Sequence, residues 1–305
     1  MVYGLFPLLV PYPALATQTV IFGLFALGYN LLLGYTGLLS FGHALYFGLG
    51  AYTTALTLMH GHVSLWVGLA CGMLAGALAA LVFGWFCLWR RGLYFSMLTL
   101  AFAQMVYFIA FQLRGLTGGD DGLRGVPAPG FTIPGLSTLD LSSSTHPYRF
   151  YYFTMVLMLI AVFVLWRLVH APFGKVLEAI RESEERAKAC GYNTIMVKHI
   201  SFLISGTCAG LAGGLNAVFL GFVPLEALFW TTFGQVVIMT LLGGVGTFFG
   251  PLLGAGVVLF LEDSLARRTD SWPLIMGAIF MLCVLFFRRG IWGTLAGRLA
   301  AYTAR

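Results

Sequence analysis

Two groups of residues in this chain carry side chains able to do chemistry. The first is Thr36, Ser40 and His43, set among Gly34, Gly37 and Gly42. A serine hydroxyl beside an imidazole is the minimum for a base-activated nucleophile. Three residues apart on one helical turn, however, also makes two polar groups simple neighbours. A structural hydrogen bond at a glycine-broken helix is the plainer reading, and catalysis is the weaker one. The second group is the run Pro172 to Asn193, PFGKVLEAIRESEERAKACGYN, where acids and bases alternate in an otherwise apolar chain.

The elements that must position these residues are membrane-spanning. Of 305 residues, 59% are hydrophobic and 9% charged, and mean hydropathy is +0.90. So little charge cannot cover a soluble domain. Apolar runs at 14–35, 42–60, 64–88, 92–113, 149–168, 200–222, 230–245, 247–262 and 273–288 give about nine crossings of an all-α polytopic domain over 1–305. The stretch 230–262 is read as two short elements, broken at Gly243-Gly244-Val245-Gly246.

Nine crossings place the N-terminus outside and the C-terminus inside. Of the 17 Lys and Arg, all but Arg114, Arg124, Arg149, Arg267 and Arg268 then fall on the inner side, among them Arg90, Arg91, Arg288, Arg289, Arg298 and Arg305. The outer loop 114–148 is rich in Gly, Pro and Ser and holds the turn-forming Thr117-Gly118-Gly119-Asp120-Asp121-Gly122. The start, MVYGLFPLLVP, lacks the basic region and cleavage site of a removable signal peptide.

Several functions are disfavoured. The formal charge of +6 is what inner loops of a membrane protein require, and no basic stretch is interleaved with aromatics for nucleic acid. No GxxxxGK[ST] phosphate cradle occurs. Glu226, Glu262 and Asp263 lie at span ends, which lowers an ion-coupled carrier. Cys71, Cys87, Cys190, Cys208 and Cys283 are scattered and read as packing residues, and His60, His62 and His199 as solvated or interfacial groups. No metal or cofactor is expected.

Within the charged run, 174–190 is expected as one helix inside an inner loop spanning 169–199. Pro172 suits its entry and Gly191 its C-terminal cap. Glu182 to Arg186 and Glu184 to Lys188 have i,i+4 spacing with the acid first. Val176, Ala179, Ile180, Ser183 and Ala187 would form a narrow face of mostly small residues. Such a face rimmed by both signs of charge fits a groove on a cytosolic partner better than a lipid surface.

Three stretches together resemble the LivM family, permease subunits of branched-chain amino acid ABC importers. They are NLLLGYTGLLSFGHALYFGLGAYTTAL at 30–56, RGLYFSMLTLAFAQMVYF at 91–108, and AIRESEERAKACGYNTIMVKHISFLISGTCAGLAGGL at 179–215, the last followed by LLGGVGTFFGPLLGA at 241–255. The resemblance implies a prokaryotic inner-membrane permease without an ATPase site of its own. Its partners would be a second homologous permease, two cytosolic ATPases, an extracytoplasmic binding protein and the surrounding lipid. Glu178, Arg181, Glu182, Glu185, Arg186, Ala187 and Gly191 would then couple to an ATPase, and Thr36, Ser40 and His43 would lie by the translocation path. Two departures stand out. Family members typically carry one more N-terminal hydrophobic helix, and Gln235 replaces a common glutamate. A urea or short-chain amide permease of the same superfamily, and more remotely an ion-coupled carrier, remain as alternatives.

Overall fold

The computed structural model describes residues 12–61, 63–90, 92–127, 147–269, 271–286 and 290–294. Each of the nine apolar runs is a helix there: α1 (Pro13–Asn30), α2 (His43–Gly61), α3 (Leu65–Cys87), α4 (Leu93–Gln112), α5 (Pro147–His170), α8 (Thr194–Leu220), α9 (Trp230–Gly243), α10 (Gly250–Ala266) and α11 (Trp272–Phe286). The charged run supplies two more, α6 (Pro172–Glu182) and α7 (Glu184–Ala189). Residues 1–11, most of the outer loop and the C-terminal arginines from Arg288 onward lie outside the described residues, as do Arg91 and His62.

Among the described residues, five helices are long and apolar enough to cross a membrane: Pro13–Thr36, α3, α4, α5 and α8. α1 is central, with 94% of its apolar window buried, against 22–39% for α3, α4 and α5. A helix apolar on every side belongs in the middle of a bundle. The outer helices present Leu93, Met97, Phe108, Ile160 and Phe163 outward, as lipid contact requires. α9 and α10 are separate elements joined through Gly244 and Gly246, both at positive φ. Their 14 and 17 residues reach ~21 and ~26 Å, short of a ~30 Å hydrocarbon core taken singly.

α2, α3 and α8 meet backbone to backbone. A Cβ on Gly76 would lie 2.4 Å from the Gly206 carbonyl oxygen, and one on Gly50 2.3 Å from that of Gly210. Small residues are what allow this approach where no water drives helices together. At the far end of α8, Phe222–Val223 pairs antiparallel with Leu123–Arg124, tying the Gly-rich outer turn to the bundle.

Two boundaries differ from expectation. α8 starts at Thr194 rather than 200, because the Asn193 side chain accepts the Met196 amide at 3.1 Å and caps the helix there. Lys198 and His199 therefore belong to a helix and not to the loop. The run 174–190 is two helices, because Ser183 is extended (φ −160°, ψ 106°) and its hydroxyl accepts the Arg186 amide as the cap of α7.

Candidate functional site

The glycine-rich break begins where α1 widens into a π-helical turn, Leu31–Thr36, and ends at Gly37, whose φ of +74° reverses the chain. From there the chain runs back into the bundle, and α2 starts at His43. Measured along α8, the contact of His43 with Ser205 lies eleven residues in, ~16 Å from that end of the helix. Residues 37–42 are irregular backbone between the end of α1 and the start of α2, which a membrane protein tolerates where protein satisfies its polar groups. α4 does so: the Thr99 hydroxyl accepts the Phe41 amide at 3.0 Å, and the Ser96 hydroxyl donates to the Leu39 carbonyl at 2.6 Å. Gly42 is required at this crossing, since a Cβ would lie 2.4 Å from the Thr99 carbonyl oxygen. Ser96 and Thr99 were not singled out by sequence; two hydroxyls one turn apart in an apolar helix were the available signal.

Thr36, Ser40 and His43 are brought to this break and all are buried. The Thr36 hydroxyl donates to the Leu31 carbonyl at 3.0 Å and lies 3.4 Å from Ser201 Oγ. His43 sits among the rings of Phe25, Tyr29, Tyr46 and Phe202, with centroids 5.1–6.5 Å away. Its Nε2 is 2.8 Å from Ser205 Oγ, and that hydroxyl donates its one proton to the Gly28 carbonyl at 2.5 Å. His43 must therefore donate through Nε2–H, leaving Nδ1 as an acceptor without a partner among the described residues. A serine whose proton is committed elsewhere, facing a histidine N–H, is not an activated nucleophile. Ser40, the neighbour in sequence, does not pair with His43, and its hydroxyl is buried without a partner among the described residues. Among the described residues, none of the three lines either of two apolar grooves, of about 640 and 430 Å³, bordered by Trp85 and Met196 and by Met73 and Ile160.

The charged helices pack on the end of the bundle where α1 breaks. Leu177, Ile180 and Ala187 face inward and are buried. Ala187 is thus a packing residue rather than part of an open docking face, because the turn at Ser183 rotates α7 relative to α6. Arg181, Glu182, Glu185, Arg186 and Gly191 are exposed, and Glu178 is half-exposed beside Lys175 at 3.1 Å. Glu182 and Arg186, on either side of Ser183, form no ion pair, since the broken helix removes their i,i+4 relation. Gly191, at φ +87°, follows the last turn of α7 as expected of a cap, with its amide donating to the Lys188 carbonyl.

The strongest polar contact here centres on Glu184. It meets Lys188 at 3.0 Å, Lys198 on α8 at 2.7 Å, and the Thr194 hydroxyl at 3.1 Å. The Glu184 and Lys198 side chains are only 16% and 10% exposed. Burial alone would raise the carboxyl; hydrogen bonds from Lys198 and Lys188, the Lys198 charge and Thr194 outweigh it and hold the group at about 2. The i,i+4 spacing to Lys188 was visible in the sequence, whereas the partner on α8 was not. Gln235 donates to Glu262 at 3.3 Å across α9 and α10.

The family model described as "Branched-chain amino acid transport system / permease component" matches residues 12–287. The high-affinity branched-chain amino acid transport system permease protein LivM of Salmonella typhimurium is 30% identical over 295 residues, covering 91% of this chain and 69% of the relative. LivM of Escherichia coli K12 is 29% identical over the same shares of the two chains. LivH of Salmonella typhimurium is 25% identical over 89% of this chain and 91% of its own length. No solved structure matches.

Proposed function

The chain belongs to the family of branched-chain amino acid transport system permease components, and from that membership we propose that it is the membrane-spanning subunit of an ATP-driven importer for branched-chain or related hydrophobic amino acids. The observation that carries the reading is the pair α6–α7. It is a strongly charged, solvent-facing surface fastened through Glu184 to Lys198 on an otherwise apolar multi-pass bundle. A cytosolic ATPase covers this surface and docks on Glu178, Glu182, Glu185 and Arg186, with complementary charge setting its register. A second permease completes the path, and a binding protein outside delivers substrate. The α6–α7 end faces the cytoplasm, with the N-terminus outside and the C-terminus inside.

Thr36, Ser40 and His43 lie beside the path, which forms against the second permease. Irregular backbone at mid-depth is where transporters expose polar groups to solute. Reconstitution tests the reading. The chain with its second permease, ATPases and binding protein should import leucine only with ATP. Import of urea instead would move the substrate assignment, and import by the chain alone on an ion gradient would overturn the reading.

A further inference from the structure

Arg181 stands on the charged surface, yet one edge of it is built into the bundle. Its guanidinium Nη1 donates to the carbonyl of Gly34, within the π-helical turn that ends α1. The last carbonyls of a helix lack intrahelical donors and carry partial negative charge, so a cation is favoured there. The side chain passes over two glycines in the left-handed region. A Cβ on Gly37 would lie 3.1 Å from Arg181 Cγ, and one on Gly246 2.9 Å from Arg181 Nη1. Gly246 is in turn held to α1, because its amide donates to Asn30 Oδ1 at 3.1 Å while Asn30 Nδ2 donates to the Thr247 carbonyl at 2.9 Å. Gly34 leaves room for this, since a Cβ there would meet Asn30 Oδ1 and the Gly246 amide at 2.3 and 2.6 Å. One side chain from α6 thus rests on the junction of the broken end of α1 with the α9–α10 turn.

We propose that Arg181 is the positioning residue through which movement of α6 reaches that junction, and so the segment leading to Ser40 and His43. This rests on the importer reading above. A residue that merely binds the ATPase would need no donor aimed at Gly34, and a merely structural one would not stand on the surface that the ATPase covers. The carbonyl it grips lies three residues before the reversal at Gly37, and the chain beyond is clamped by Ser96 and Thr99. A pull on Gly34 therefore shifts the start of α2 rather than being absorbed by slack.

The test uses the complete transporter in proteoliposomes and reads leucine imported per ATP hydrolysed, together with co-purification of the ATPases. Arg181→Met should keep the ATPases bound while import per ATP falls about tenfold, the effect of losing one charge-assisted hydrogen bond. Arg181→Lys, which retains a charged donor, should recover part of that loss. Arg181→Gln, which keeps a planar polar end too short to reach Gly34, takes the place of Arg181→Met if the latter does not reach the membrane. A wild-type ratio in the Met or Gln variant overturns the inference, and so does loss of the ATPases, which would make Arg181 a docking residue. A wild-type chain that binds no ATPase overturns the importer reading itself, and this inference with it.

Discussion

Lys198 Nζ lies 2.7 Å from Glu184 Oε2, joining a six-residue helix on the surface to the fifth residue of α8, the longest helix among the described residues. α7 is too short to be stable by itself. Its place depends on this pair, on the Ser183 cap and on buried Ala187.

Removing Glu184 takes the counter-ion from Lys198, which is only 10% exposed, whereas removing Lys198 leaves Glu184 still paired with Lys188. Glu184→Gln should lower stability by about 3 kcal/mol, and Lys198→Met by less. The double variant should be less destabilised than the sum of the two, read as thermal melting of the detergent-solubilised complex. Additive losses would show that the two residues act separately.

The same carboxyl sets a pH dependence. Its folded pKa, about 2, lies below the ordinary 4.5. Its contribution is therefore complete above pH 4.5 and is lost as pH falls toward 2. The difference in melting temperature between wild type and Glu184→Gln should be constant from pH 7 to 5 and narrow below 4.5. A difference that changed between pH 5 and 7 would assign the stabilisation to another group.

Orientation is open to labelling in a cysteine-free background, since Cys190 is exposed in the native chain. Arg124→Cys should react with an impermeant thiol reagent in intact cells. Glu185→Cys should react only after permeabilisation. Labelling of the Glu185 variant in intact cells would reverse the topology and remove the docking assignment.

Ser40→Ala and Thr36→Val separate path from packing. The Ser40 hydroxyl is buried without a partner among the described residues, so its removal should leave the protein as stable or raise stability by about 1 kcal/mol. Thr36→Val loses the bond to the Leu31 carbonyl and should destabilise by about 1 kcal/mol. If these residues border the path, uptake falls or substrate preference changes in both while the ATPases stay bound. Unchanged uptake in both would leave them with packing alone.

The apolar helices were legible because hydropathy is a local property, and so was the interruption at Gly243–Gly246, where glycines cluster. Gly191 was legible as a cap for the same reason. The division at Ser183 was not, because a serine followed by two glutamates is equally compatible with a continuing helix, and only the bond to the Arg186 amide decides. The inward turn of Ala187 follows from that division. Ser96, Thr99 and Lys198 act on residues 57, 58 and 14 positions away, through contacts no periodicity reveals. The donor role of His43 depends on where Ser205 sends its proton, which required the position of Gly28.

The interlocked glycines of α2, α3 and α8 have a mechanical meaning. Where Gly76 meets Gly206, and Gly50 meets Gly210, main chains touch with no side chain between them to change rotamer or slide. These three helices pack as one frame with no layer of side chains at those crossings. On the importer reading, the stroke of a transport cycle is carried by elements that end on glycine at this frame's border: the tail of α1 at Gly37 and the turn between α9 and α10. Those are the two pieces that Arg181 grips.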